Sequence, residues 1–65
     1  MEVTIYVYVK PTEDRLIYKT FAAAERACRV GGEIQQWTAA ADSERFQLTQ
    51  IWYRHQAGLL TEVIR

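Results

Sequence analysis

The sequence has little of what small domains use to staple themselves together. One cysteine in 65 residues leaves no internal disulfide, and one cysteine with one histidine cannot build a structural zinc site. Neither sign of charge is in excess: eight Lys+Arg face eight Asp+Glu, so no global field steers the chain toward nucleic acid or a membrane surface. No segment approaches the ~20 apolar residues of a membrane span, and the N-terminus lacks the basic and apolar regions of a signal peptide. A cytoplasmic location is the resulting expectation. What is present is 49% hydrophobic and 25% charged, the composition of a soluble globular domain and not of a disordered chain. Its length fits one small domain, residues 1–65, with no linker or second domain.

Such a chain buries only about 60% of the surface its unfolded form exposes, so its core is thin. Without metal or disulfide, stability must come from an efficient sheet–helix layer, a partner or self-association. The size alone therefore favours a protein that works by binding.

Residues 3–9, Val-Thr-Ile-Tyr-Val-Tyr-Val, alternate at period 2 and read as a strand. Val3, Ile5, Val7 and Val9 share one face, and Thr4, Tyr6 and Tyr8 the other. Lys10-Pro11-Thr12-Glu13-Asp14 ends the strand, and Arg15–Thr20 reads as the returning arm of a hairpin. The period then changes. Ala24, Ala27, Cys28 and Gly31 fall at i, i+3, i+4 and i+7, predicting a helix over Phe21–Val30 that stops at Gly31-Gly32. Its cap is either Thr20 or Ala22, the latter with Glu25 as half a capping box. Because the stripe residues are small, the helix should lie close to the sheet, with Cys28 buried in the contact.

Three further strands follow. Glu33–Ala39 is the first, where Ile34 and Trp37 have opposite parity and a bulge would be needed to bury both. Phe46–Tyr53 is long enough for a helix, yet its strand-forming residues favour a strand. Turns at Asp42-Ser43-Glu44 and Gln56-Ala57-Gly58 separate it from its neighbours, and Leu59–Ile64 closes the chain. No internal repeat or low-complexity segment stands out beyond the alanine runs at 22–24 and 39–41. The predicted fold is α+β, ββαβββ, an antiparallel sheet with one helix packed on one face. A single helix of ~15 Å covers only one face of a five-stranded sheet, which leaves the other open, curled on itself or covered by another molecule.

Catalytic constellations are missing from the sequence. It holds no metalloprotease helix, dinucleotide fingerprint or phosphate loop, and Gly31-Gly32 follows a helix where phosphate cradles precede one. His55, beside Arg54 and Gln56, reads as a solvated histidine near a turn. Glu13-Asp14 reads as a solvated turn and not as a metal site or acid dyad. Cys28 has Arg26 and Arg29 nearby in sequence, which would lower its pKa, but a helix C-terminus disfavours a thiolate. No enzyme activity, metal or cofactor is expected.

Eight aromatic residues (four Tyr, two Trp, two Phe) exceed what one covered face can hide. With Val3, Ile5, Val7 and Val9 assigned to the helix-covered face, Tyr6 and Tyr8 would point to the open one, rimmed by Lys10 and Lys19. Trp52 and Arg54 are added as candidate anchors, since Trp52-Tyr53-Arg54-His55 concentrates residue types common at hot spots. The candidate binding set is thus Tyr6, Tyr8, Lys10, Lys19, Trp52 and Arg54. A Tyr6→Ala/Tyr8→Ala double variant should then stay folded yet lose its partner. The expected function is a non-enzymatic stoichiometric binder, an inhibitor among the options, docking on a larger protein through an aromatic sheet face or edge. In size and element order the layout resembles several small phage-encoded inhibitors, including some anti-CRISPR proteins; the resemblance extends to no shared motif. Two alternatives stay open: a nucleic-acid-binding module stacking bases on Tyr6 and Tyr8 beside Lys10, and an obligate homodimer through the same face.

Overall fold

A computed structural model describes residues 2–42, 44–56 and 58–63. The element order is β1 (Glu2–Val9), β2 (Arg15–Tyr18), α1 (Phe21–Ala27), β3 (Glu33–Ala40), β4 (Gln47–Arg54) and β5 (Leu60–Val63). All five strands join one antiparallel sheet in the order β2-β1-β3-β4-β5. The expected ββαβββ fold is therefore present. The expected turn residues Ser43 and Ala57 and the strand end at Ile64 lie outside the described residues.

β2 and β3 both flank β1 and both run against it, so they are parallel to each other. Strands with this relation need a crossover, and α1 supplies it by passing over β1. The helix begins as the sequence suggests at Thr20, whose Oγ1 accepts from the N–H of Ala23 at 3.2 Å. It ends sooner than the alanine pattern implies, at Ala27 and not Val30. Cys28 is already extended, although its N–H still bonds the carbonyls of Ala24 and Glu25. The two glycines do different work from a helix stop. Gly31 takes a left-handed φ of +88° in a turn closed by the Gly32 N–H on the Arg29 carbonyl, and its own N–H bonds the Arg54 carbonyl. Gly32 then passes so close to Tyr8 that a Cβ there would sit 2.5 Å from the ring.

The largest correction concerns the face that the helix covers. Tyr8, Ala24, Cys28 and Ile34 form the buried cluster, with Tyr6, Tyr18, Phe21, Ala27, Trp52 and Leu60 packed against it. The even-numbered face of β1 is thus the covered one, and Val3, Ile5 and Val7 lie on the face away from the helix. Size complementarity explains the inversion. Ala24 and Ala27 project too little to fill the gap above a row of valines, whereas tyrosine and tryptophan rings reach them. The Tyr8 hydroxyl then finds the Arg29 N–H at 3.1 Å, which satisfies its polar end at the edge of the core. Tyr6 meets Phe21 edge-on with ring centroids 5.8 Å apart, and Phe21 meets Trp52 at 4.6 Å.

The expected bulge exists, but in a different strand. β1 and β3 pair without interruption from Glu2–Ala40 to Val9–Glu33. Between β3 and β4 the register shifts after Gln36–Gln50, so that Trp37 faces Leu48 and Thr49 is the extra residue. The Thr49 hydroxyl takes over the Gln36 carbonyl at 3.1 Å. Ile34 and Trp37 consequently stay on opposite faces, Ile34 in the core under α1 and Trp37 on the open side.

Candidate functional site

Cross-strand partners share a face, so the ladder defines the open one. Val3 pairs Ala39, Ile5 pairs Trp37, and Val7 pairs both Ile17 and Gln35. Gln35 pairs Ile51, and Ile51 pairs Val63. Val7, Ala39 and Ile51 are buried in the floor of this face, although the helix cluster does not include them. Ile17, Val3 and Val63 stand above it, 68%, 51% and 39% exposed. Phe46, in the connection before β4, reaches the same face and joins Ile5, Val7, Arg15, Ile17 and Trp37 around a groove of about 290 Å³. The whole face measures on the order of 400–500 Å² at ordinary strand spacing and rise.

Its polar groups are largely matched internally. Along β3 the Trp37 Nε1–H donates to Gln35 Oε1 at 3.0 Å, and Gln35 Nε2 donates to Glu33 Oε2 at 2.6 Å. Arg15 and Glu33 occupy one end of the face, both opposite Val9, so the two charges offset each other there. The centre is left without a charge.

The residues singled out in the sequence do not come together on this surface. Tyr8 is 3% exposed and Tyr6 is half-buried, both beneath the helix. Trp52 also packs there, opposite Ile34. Lys10 lines a separate groove of about 300 Å³ on the helix side, with Tyr8, Pro11, Leu16, Ala27 and Arg29. Lys19 is exposed between β2 and α1. Arg54 is engaged within the chain: Nη1 donates to the Gly58 carbonyl at 2.6 Å and Nη2 to the Glu25 carbonyl at 3.3 Å. It thereby ties the β4–β5 turn to the end of α1, where a cation complements the exposed carbonyls. The residues missed were Ile17, Trp37 and Phe46. For Ile17 the signal was the alternation of Leu16-Ile17-Tyr18 against Tyr6-Val7-Tyr8, which puts it with the valines.

Two groups with chemical potential are held quietly. Cys28 is buried on the helix side; burial raises its pKa, against a smaller opposing pull from the Arg54 hydrogen bond and charge. The cation that acts on it is thus Arg54, not the Arg26 or Arg29 suggested by sequence. His55 is exposed, with Nε2 on the Thr61 hydroxyl at 2.5 Å and its ring edge-on to Tyr53 at 5.1 Å. Glu13 takes a φ of +74° in a turn closed by its N–H on the Lys10 carbonyl, and Asp14 accepts from Thr12 Oγ1 at 3.1 Å. Among the described residues no three His, Cys, Asp or Glu side chains are grouped to hold a metal ion, and no helix is long and apolar enough to cross a membrane. No protein-family profile, curated protein or solved structure matches the chain.

Proposed function

We propose that the chain is a non-enzymatic, stoichiometric binding protein that docks on a larger protein through the open sheet face. The observation that carries this reading is the face itself. Ile17, Val3, Phe46 and Val63 stand exposed over a floor of Val7, Ala39 and Ile51, on the side of the sheet away from the helix. Apolar side chains gathered in this way are costly to leave in water, and a patch with no central charge suits an aromatic or aliphatic partner surface. The base-stacking alternative has less support, since Tyr8 has no free ring face to offer.

The test compares the protein with an Ile17→Asp/Phe46→Ser double variant as bait in a lysate of its source cells. The protein should retain one partner in a 1:1 complex by native mass spectrometry, and the variant should lose it at an unchanged fold by circular dichroism. Retention of the same partner by both baits refutes the face as the docking surface.

A further inference from the structure

The sheet has a defect along one edge. β1 bonds β3 over all eight of its residues but bonds β2 only over Tyr6–Val9. β2 stops at Tyr18 because the chain must turn through Thr20 into the helix. The outer side of Glu2–Ile5 therefore presents main-chain donors and acceptors that meet no backbone partner among the described residues. Among the described residues, β5 pairs β4 only over Ile51–Arg54, which leaves Gln47–Gln50 with no described neighbour on that side. That second edge carries the bulge at Thr49, and a bulge twists an edge away from regular pairing. The β1 edge has no irregularity, and its single charge is Glu2.

We propose that an extended segment of the partner protein adds to the sheet along Glu2–Ile5, antiparallel to β1 and in line with β2. The inference rests on the reading of the chain as a binding protein and names the manner of binding. Side chains of the incoming strand opposite Val3 and Ile5 fall on the apolar face, beside the groove of Ile17, Trp37 and Phe46. The residue between them falls on the other face, beside Thr4, which is bonded there to the hydroxyl of Thr38. The segment that fits has apolar and polar residues in alternation, with a cation near Glu2. Main-chain bonds would give affinity, and the groove would select the alternate side chains.

The probe is a capped seven-residue peptide of alternating valine and threonine with a lysine at each end, titrated into ¹⁵N-labelled protein. Its control is the same peptide with the inner amides N-methylated, which keeps the side chains and removes the donors. The plain peptide should slow amide exchange along Glu2–Ile5 and bind about tenfold or more tightly than the control. Equal binding of both peptides, with shifts spread over Ile17, Phe46 and Val63, overturns strand addition while leaving the face as a docking surface. Shifts centred on Gln47–Gln50, or none at about 1 mM peptide, overturn it as well. Protection of Glu2–Ile5 that rises with protein concentration alone would assign the edge to a second copy and refute a partner strand.

Discussion

If the helix covers the tyrosine face, truncating Tyr8 should unfold the protein, while truncating Ile17 should not. Tyr8 is 3% exposed and touches the cluster of Ala24, Cys28 and Ile34, so Tyr8→Ala removes most of a buried ring from the centre of a thin core. Comparable aromatic truncations cost about 3–5 kcal/mol. A chain of 65 residues has a total stability of roughly 3–10 kcal/mol. Tyr8→Ala should therefore be largely unfolded at 25 °C, or melt at least about 15 °C lower. Tyr8→Phe keeps the ring and loses only the acceptor of the Arg29 N–H. Because Arg29 is exposed and water can replace the hydroxyl, the cost falls to about 0.5–1.5 kcal/mol. Ile17→Ser, at a side chain 68% exposed on an edge strand, should change stability by about 0.5 kcal/mol or less. Thermal melts followed by far-UV circular dichroism separate the three. The reverse ranking, with Tyr8→Ala melting like the parent and Ile17→Ser losing ten degrees or more, would put the helix on the valine face and refute the packing argument.

Gly32→Ala should destabilise by about 1–3 kcal/mol in urea titration, because the new Cβ would meet the Tyr8 ring at 2.5 Å and the Arg29 and Val9 carbonyls at 3.1 and 3.2 Å. Two of those three neighbours are backbone and cannot swing aside. Thr20→Ala should cost about 1 kcal/mol by loss of the cap on the Ala23 N–H, measured as a lower denaturation midpoint, with Thr20→Ser restoring it. The buried Cys28 thiol has a raised pKa, so the folded state holds its proton more tightly than the unfolded one. Its contribution to stability is complete below the unfolded thiol pKa of about 8.5 and declines as pH rises through and above it. The melting temperature of the parent should thus fall more steeply between pH 8 and 10 than that of Cys28→Ala, and parallel curves would contradict the burial.

The fold was legible because its signals are local. Period-2 alternation over residues 3–9, the alanine-rich stripe and the loop at Pro11 each declare an element without reference to the rest of the chain, whereas the cap stays open between Thr20 and Ala22 until the structure decides for Thr20. The site was misread because the side of the sheet that a crossover helix covers is a property of two elements at once. β1 by itself has two faces that could both be core, one of valine and isoleucine and one of tyrosine, and hydrophobicity slightly favours the wrong one. Only the helix breaks the tie. A stripe of Ala24, Ala27 and Cys28 has a depth deficit that tyrosine and tryptophan fill and valine does not, so the small residues of α1 select the large residues of β1, β3 and β4. The same rule accounts for the open face. Once the tyrosines of β1 and Trp52 are committed to the helix, with Tyr8 anchored on Arg29 and Trp52 on Phe21, the aliphatic row of β1 is left outside together with Trp37. A β1 chosen for stability as a monomer would carry threonine or lysine at Val3 and Ile5, positions that support no helix packing and flank the unpaired edge. Valine and isoleucine there, beside Ile17 and Phe46, add nothing to the core under α1, and the proposed occupant of that face and edge is what would give them a use.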